Sequence, residues 1–362
     1  MNKAHYIIPI FVPHEGCPHD CVFCNQNSIT GSDAIVDALY VSNTVEEYLK
    51  TIPKDNSIIE ISFFGGTFTA ININKQKELL AVAAEYKQQN KIDFIRLSTR
   101  PDYIDEFILD NLKAYSVDII ELGVQSLDSE VLLKSARGHS EEDVVLASKL
   151  IKEYGFTLGH QIMVGLPGDN FEKDITTVRK SIIMKPDMCR IYPSLVVKDT
   201  PMEKMYEMKI YNPYSLDEAV EISKILYGMY EANDIRVIRI GLQPTEEIRE
   251  GVDVIAGPFH PAFRELVEGS IFRDIILDKA YKYQNRDITI AVNGKDISKL
   301  YASKKKFFND IIEQLKTINI KVIQDGSLER GEILMNFGDT WEKVSIYEYL
   351  IKKYKEGYLN NL

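Results

Sequence analysis

Cysteine is scarce in this chain, four residues among 362, and three of the four fall between positions 17 and 24. So few thiols, so unevenly spread, do not make the framework of a secreted disulfide scaffold, and a reducing compartment is expected. Positive charge is also in deficit. Forty-three Lys and Arg against 54 Asp and Glu give a formal net charge of −11, which argues against a surface given over to binding phosphate. No apolar run is long enough to cross a bilayer, and Met1–Ile10 lacks the basic flank and small-residue cleavage site of a signal peptide. Internal repeats and low-complexity tracts are missing as well. These absences predict a soluble, cytoplasmic protein with no membrane partner. What is present, 45% hydrophobic and 27% charged residues, suffices for a large core.

Apolar, β-rich runs at 6–12, 58–64, 93–98, 118–124, 157–164 and 188–195 alternate with helix-period segments at 41–52, 74–89, 104–114, 141–154 and 171–183. Six βα units with strands apolar throughout predict a parallel sheet buried on both faces. Periodicity does not distinguish an open sheet from a barrel, but in both the ligand lies at the carboxyl ends of the strands. After Leu195 the pattern weakens, resumes in a helix at 217–233 and a strand at 236–240, and then enters a Pro/Gly/His-containing stretch at 243–263. A small α+β unit is expected from about Asp287. The expected domains are therefore a core at 1–200, an extension closing the substrate side at 201–286, and an α+β appendage at 287–362.

Directly after the first strand comes Cys17-Pro18-His19-Asp20-Cys21-Val22-Phe23-Cys24, a CxxxCxxC loop. Structural zinc wants four protein ligands, usually as two close pairs. No second pair exists, although His14 or His19 can supply a fourth ligand, so zinc stays open. A cubane [4Fe-4S] cluster takes one thiolate per iron. Three thiolates leave one iron free to chelate the amino and carboxylate groups of S-adenosylmethionine (SAM), whose sulfonium bond is then cleaved by an electron from the cluster. Cys189, alone inside an apolar strand, reads as an ordinary core cysteine.

The ends of the other strands carry polar groups. Strand two ends in Gly65-Gly66-Thr67-Phe68, where paired glycines permit close backbone approach to a ligand. Glu121, Gly123 and Gln125 share one face of strand four by alternation, and a buried carboxylate and amide there need polar partners. Ribose hydroxyls and the sulfonium of SAM would be such partners, and Arg137 would pair with the SAM carboxylate. Thr99 and Arg100 end strand three, Gln161 and Met163 lie in strand five where an adenine would rest, and Tyr192 lies in strand six. Arg100 and, beyond these strands, Arg239, Gln243, His260 and Arg264 are candidates for the substrate side. No hydrolytic triad is evident, and no catalytic side chain is assigned.

The cysteine spacing, with aromatic Phe23 before the last thiol, resembles the signature of the radical SAM superfamily. Glu121–Ser126, Arg137-Gly138-His139, Gly165-Leu166-Pro167-Gly168 and Arg190–Val197 narrow the likeness to the radical SAM part of the catalytic subunit of Elongator, over roughly Tyr6 to Phe263. Oxygen-independent coproporphyrinogen oxidases share some of these motifs. The resemblance implies a partial (βα)6 TIM-like barrel, an oxygen-sensitive [4Fe-4S] cluster on Cys17, Cys21 and Cys24, and SAM held by Phe23, Gly65, Gly66, Thr67, Thr99, Glu121, Gln125, Arg137, Gln161, Met163 and Tyr192, with Gly65–Thr67 receiving its amino group. Phe68 stands where that family often has Glu. It further implies a reductant such as flavodoxin or ferredoxin and a nucleoside or tRNA substrate, the Elongator enzyme acting on the wobble uridine. The expectation is a core without an acetyltransferase-like domain, since only about 75 residues follow Asp287. A small-molecule enzyme of the porphyrinogen-oxidase kind and a metal-bearing module without turnover are the rival readings.

Overall fold

A computed structural model describes residues 3–12, 19–25, 36–53, 55–242, 253–283, 286–315 and 319–357. The chain divides into two compact units, residues 1–213 with 244–257 and residues 214–243 with 258–362.

In the first unit, strands β1 (Ala4–Val12), β2 (Ser57–Gly65), β3 (Phe94–Thr99), β4 (Ile119–Gln125), β5 (Thr157–Val164) and β6 (Met188–Pro193) are parallel and pair in chain order. Helices α1 (Ala38–Thr51), α2 (Ile73–Gln88), α3 (Glu106–Ala114), α4 (Ser129–Lys134), α5 (Glu141–Glu153) and α6 (Phe171–Met184) connect them. Each begins at a residue whose side chain accepts from the first turn: Asp37, Asn72, Asp105, Asp128, Ser140 and Asn170. Such caps satisfy amide groups the helix cannot. At Ser140 the cap is reciprocal, because Asp143 bonds back to the cap backbone.

The sheet curls. In a flat sheet β2 and β6 would be about 19 Å apart, four spacings of ~4.8 Å, yet the Arg190 guanidinium of β6 lies 5.8 Å from the centre of the Phe64 ring of β2. The result is a partial barrel in which six parallel strands alternate with helices.

Its two faces differ more than strands apolar throughout would suggest. Ile61, Phe63, Ile95, Leu97, Ile120, Leu122, Leu158, Ile162 and Ile191 are buried on the outer, helix-covered side. The inner side carries Glu60, Ser62, Arg96, Glu121 and Arg190, equally buried. Only half of each strand meets helices; the other half faces the inside of the curl, where charges persist because they pair with one another.

Two polar-looking residues belong to the outer side. Cys189 is fully buried there. His160 lies between Ser148 Oγ (3.0 Å from Nε2) and Ser181 Oγ (2.8 Å from Nδ1), and burial pushes its pKa down to about 3. A histidine kept neutral in the fold stabilises fully above its unfolded value of 6.5, and that contribution is lost as pH falls from 6.5 towards 3. Between pH 6.5 and 5 the loss through His160 amounts to about 2 kcal/mol. Urea unfolding of wild type and His160→Gln at both pH values checks this: the wild type loses more stability on acidification than the variant.

The expected sixth strand, 188–195, ends at Pro193, with Ser194 N making a last bond to Val164 O at 2.9 Å; Val196–Val197 instead pairs antiparallel with Val254–Ala256. The second unit holds long helices Leu216–Glu231 and Phe263–Lys282 and the strand Arg236–Ile240. It also holds a four-stranded mixed sheet of Ile320–Gln324, Ile288–Val292, Glu332–Asn336 and Trp341–Ser345 in that order. Among the described residues no helix is long and apolar enough to cross a membrane.

Candidate functional site

An ionic network crosses the inner face of the first unit. Arg190 donates from Nε and Nη2 to Glu121 Oε2 and Oε1 at 2.7 and 3.0 Å, and Gln161 Nε2 donates to Oε2 at 2.9 Å. Arg96 bridges two carboxylates, contacting Glu121 through Nη1 and donating from Nη2 to Glu60 Oε2 at 2.9 Å. Ser62 donates to Glu60, and His5 Nε2 lies 3.2 Å from it. Burial would raise the Glu121 carboxyl, but Arg190 and Arg96 outweigh it and hold the group below its ordinary value. Glu121, expected to face a ribose, thus has both oxygens engaged by protein side chains.

At the carboxyl ends of the strands sits Cys21, 5% exposed. Its loop is fastened by backbone bonds from Val22 to Ser135 O (3.1 Å), from Met202 to Val22 O (2.9 Å) and from Cys24 to Cys21 O (3.0 Å). Val22 packs with Val196, Met202 and Tyr211, and Phe23 lies against that cluster. Two guanidiniums approach the Cys21 sulfur, Arg137 Nη1 at 3.4 Å and Arg100 Nη1 at 3.8 Å. Arg137 Nη2 also donates to the Gly123 carbonyl at 2.5 Å, and Arg100 Nη2 to the Arg137 carbonyl at 2.5 Å. His19, considered above as a zinc ligand, has Nε2 3.3 Å from Asp102.

His139 sits 3.2 Å from the Val124 carbonyl through Nε2. Burial, with the nearby charges of Arg137 and Arg100, pushes its pKa down to about 2. The ring is therefore neutral with its proton on Nε2, facing the carbonyl, which leaves Nδ1 an acceptor.

The donor set suits a small polar ligand. Gln125 Oε1, Arg137 Nε and His139 Nδ1 are buried and have no hydrogen-bond partner among the described residues, and buried polar atoms of this kind seldom stay unpaired. All three come from the end of β4 and the turn after α4. Two glycines of this unit leave little room for a side chain. At Gly123 a Cβ would lie 2.8 Å from Arg137 Nη2 and 3.2 Å from Gln125 Nε2; at Gly65, with φ +109°, it would lie 2.4 Å from the Val12 carbonyl oxygen. Gly66 N donates to that same oxygen at 3.2 Å. A cysteine thiol, acceptors for an ammonium and a donor for a carboxylate are the groups that a cluster and SAM would need here.

The other expected site residues distribute as follows. Thr67 and Thr99 are buried, and Thr99 Oγ1 contacts Thr69 Oγ1 at 2.5 Å. Met163 and Tyr192 are register partners on β5 and β6, next to the pair Gln161 and Arg190 on the same face. Arg239, His260 and Arg264 fall in the second unit. There Arg264 Nε donates to Glu268 at 2.8 Å, and His260 Nδ1 accepts from Ala262 N at 3.1 Å. Cys17 and Gln243 lie outside the described residues. Glu60 and Arg96 were not anticipated; their signal was a lone charge in the middle of an apolar strand.

Comparison with known proteins follows the same residues. The family model described as Radical SAM superfamily matches residues 11–180, and that described as Radical_SAM C-terminal domain matches 186–273. A protein of Methanocaldococcus jannaschii named tRNA uridine(34) acetyltransferase is 29% identical over 255 residues, 60% of this chain and 47% of that protein. Elongator complex protein 3 of Homo sapiens is 27% identical over 254 residues, 58% of this chain and 46% of its own length. Among solved structures, the archaeal Methanocaldococcus infernus Elp3 with an N-terminal deletion superposes with a TM-score of 0.61 at 25% identity, covering 76% of this chain and 64% of that one. The chain spans about half the length of the curated relatives it matches.

Proposed function

Because the chain belongs to the radical SAM superfamily, we propose that it carries a [4Fe-4S] cluster on Cys17, Cys21 and Cys24, cleaves SAM reductively, and abstracts hydrogen from a nucleoside in tRNA. The observation that carries this reading is the Cys21 sulfur, buried at the strand ends beside two guanidiniums, with three polar atoms at the end of β4 and on the turn after α4 that have no partner among the described residues. Held by these cysteines, a cluster would supply the one-electron reducing chemistry that SAM cleavage needs, while the chain itself contributes the binding site.

The protein's part is binding and orientation. Arg137 Nε offers a donor to the SAM carboxylate, Gln125 Oε1 an acceptor to its ammonium, and Gly65-Gly66 a backbone edge without side chains. The Glu121 network fixes Gln161 and Arg190 along the same face, so the pocket is set before ligand arrives, and water need not be reorganised around moving charges. The tRNA substrate is supported by the names of the relatives, and a flavodoxin- or ferredoxin-type reductant by the chemistry.

Anaerobic turnover of SAM to 5′-deoxyadenosine tests the reading, with and without tRNA. Stimulation by tRNA is expected; turnover indifferent to RNA favours the porphyrinogen-oxidase-like reading. Gly123→Ala forces both Arg137 and Gln125 to move, and such misplacement is costly. SAM affinity measured by equilibrium titration should fall at least about tenfold, with the iron content unchanged.

A further inference from the structure

We propose that Arg100, held by Asp102, sets the reduction potential of the cluster through the Cys21 sulfur, a role that rests on the cluster assignment above. Arg100 directly follows β3, 79 positions from Cys21 in sequence, and is 2% exposed. Its Nε and Nη2 grip the two Asp102 oxygens at 2.9 Å each, Nη2 also reaches the Arg137 carbonyl at 2.5 Å, and Nη1 is directed to the Cys21 sulfur at 3.8 Å. Asp102 thus fixes the plane of the guanidinium while its own charge lies on the side away from the sulfur. His19 Nε2, 3.3 Å from Asp102, braces the carboxylate from the cysteine loop itself.

An arginine that served packing alone would be satisfied by Asp102 and the carbonyl. Here the third edge of the fork points to a thiolate ligand, alongside Arg137 Nη1 at 3.4 Å. Reduction places one more negative charge on the cluster. Hydrogen bonds to the ligand sulfurs and nearby positive charge stabilise the reduced form and raise the potential, and in a buried site they act with little screening. Asp102 has the opposite sign of effect, because its charge opposes the added electron. The pair is therefore a tuning device with two levers, one raising and one lowering the potential. Arg100 acts through Cys21, so it is a positioning and tuning residue rather than a catalytic one.

The test is a redox titration of the reconstituted full chain, monitored by electron paramagnetic resonance without SAM. Arg100→Gln should make reduction at least tenfold harder, a fall of about 59 mV for a one-electron couple; Asp102→Asn should shift the potential upward; Arg100→Lys should lie between wild type and Arg100→Gln. Loss of structure alone does not produce shifts of opposite sign. Unchanged potentials in both variants, or shifts in the same direction, overturn the proposal. Should Arg100→Gln fail to retain a cluster, Asp102→Asn decides by itself, and an unmoved or lowered potential is fatal. A wild type that assembles no cluster sinks the proposed function, whereas a clustered wild type whose potential ignores both residues sinks this inference alone.

Discussion

Cys21→Ala is expected to abolish iron binding and to lower 5′-deoxyadenosine formation at least about a hundredfold, beyond the ten- to hundredfold cost typical of losing an outer-shell partner, while the unfolding midpoint of the apo chain should scarcely move. The asymmetry follows from the setting of the residue. Cys21 is buried, but its neighbours are Arg137 and Arg100, each anchored elsewhere, to the Gly123 carbonyl and to Asp102 respectively. Its loop is tied by backbone bonds of Val22, which alanine at position 21 leaves intact. A structural metal site predicts otherwise: where binding energy is folding energy, losing a ligand destabilises the whole domain. Iron quantitation and thermal unfolding of one variant therefore separate a catalytic cluster from a structural metal.

The largest stability effect is expected one layer deeper, at Glu121. Glu121→Ala leaves Arg190 and Arg96 buried, with Arg96 facing only Glu60 and Arg190 without its carboxylate. Removing one partner of a buried pair typically costs about 3–5 kcal/mol, because the remaining charge is uncompensated. Urea unfolding of the apo chain measures it. Glu121→Gln keeps an acceptor but not the charge, and should cost less. The pH dependence has a definite sign. The folded carboxyl is held below its ordinary value of 4.5, so its contribution is fully present above the unfolded value and is lost as pH falls through the folded one. The stability gap between wild type and Glu121→Gln should accordingly narrow only below about pH 4.3.

The alternation of strands and helices was legible because both signals are local: apolar runs bounded by turns, and helix-period segments such as 141–154 and 171–183. Helix α4 was not, being a single six-residue piece, too short for its period to show. The cysteine loop and the glycine turns were readable for the same local reason. The partnerships around them were not. Arg100 is visible in the sequence only as the polar residue after a strand, and its neighbours Cys21 and Arg137 lie 79 and 37 positions away. Glu121, Arg96 and Arg190 come from three strands, and their meeting depends on register: Ser98 pairs with Glu121, Glu121 with Gly159, and Gly159 with Met188. A one-residue slip would put Glu121 among the helices. Sequence periodicity marks which residues share a face, but curl decides that the face is an interior.

The proposed iron–sulfur cluster of the cysteine loop stands or falls on the metal it holds and on its reaction with SAM. Anaerobic reconstitution followed by metal analysis and dithionite-driven turnover tests it most directly. About four irons per chain and 5′-deoxyadenosine formed from SAM are the predicted result; zinc in place of iron, or a full cluster that leaves SAM intact, would contradict it.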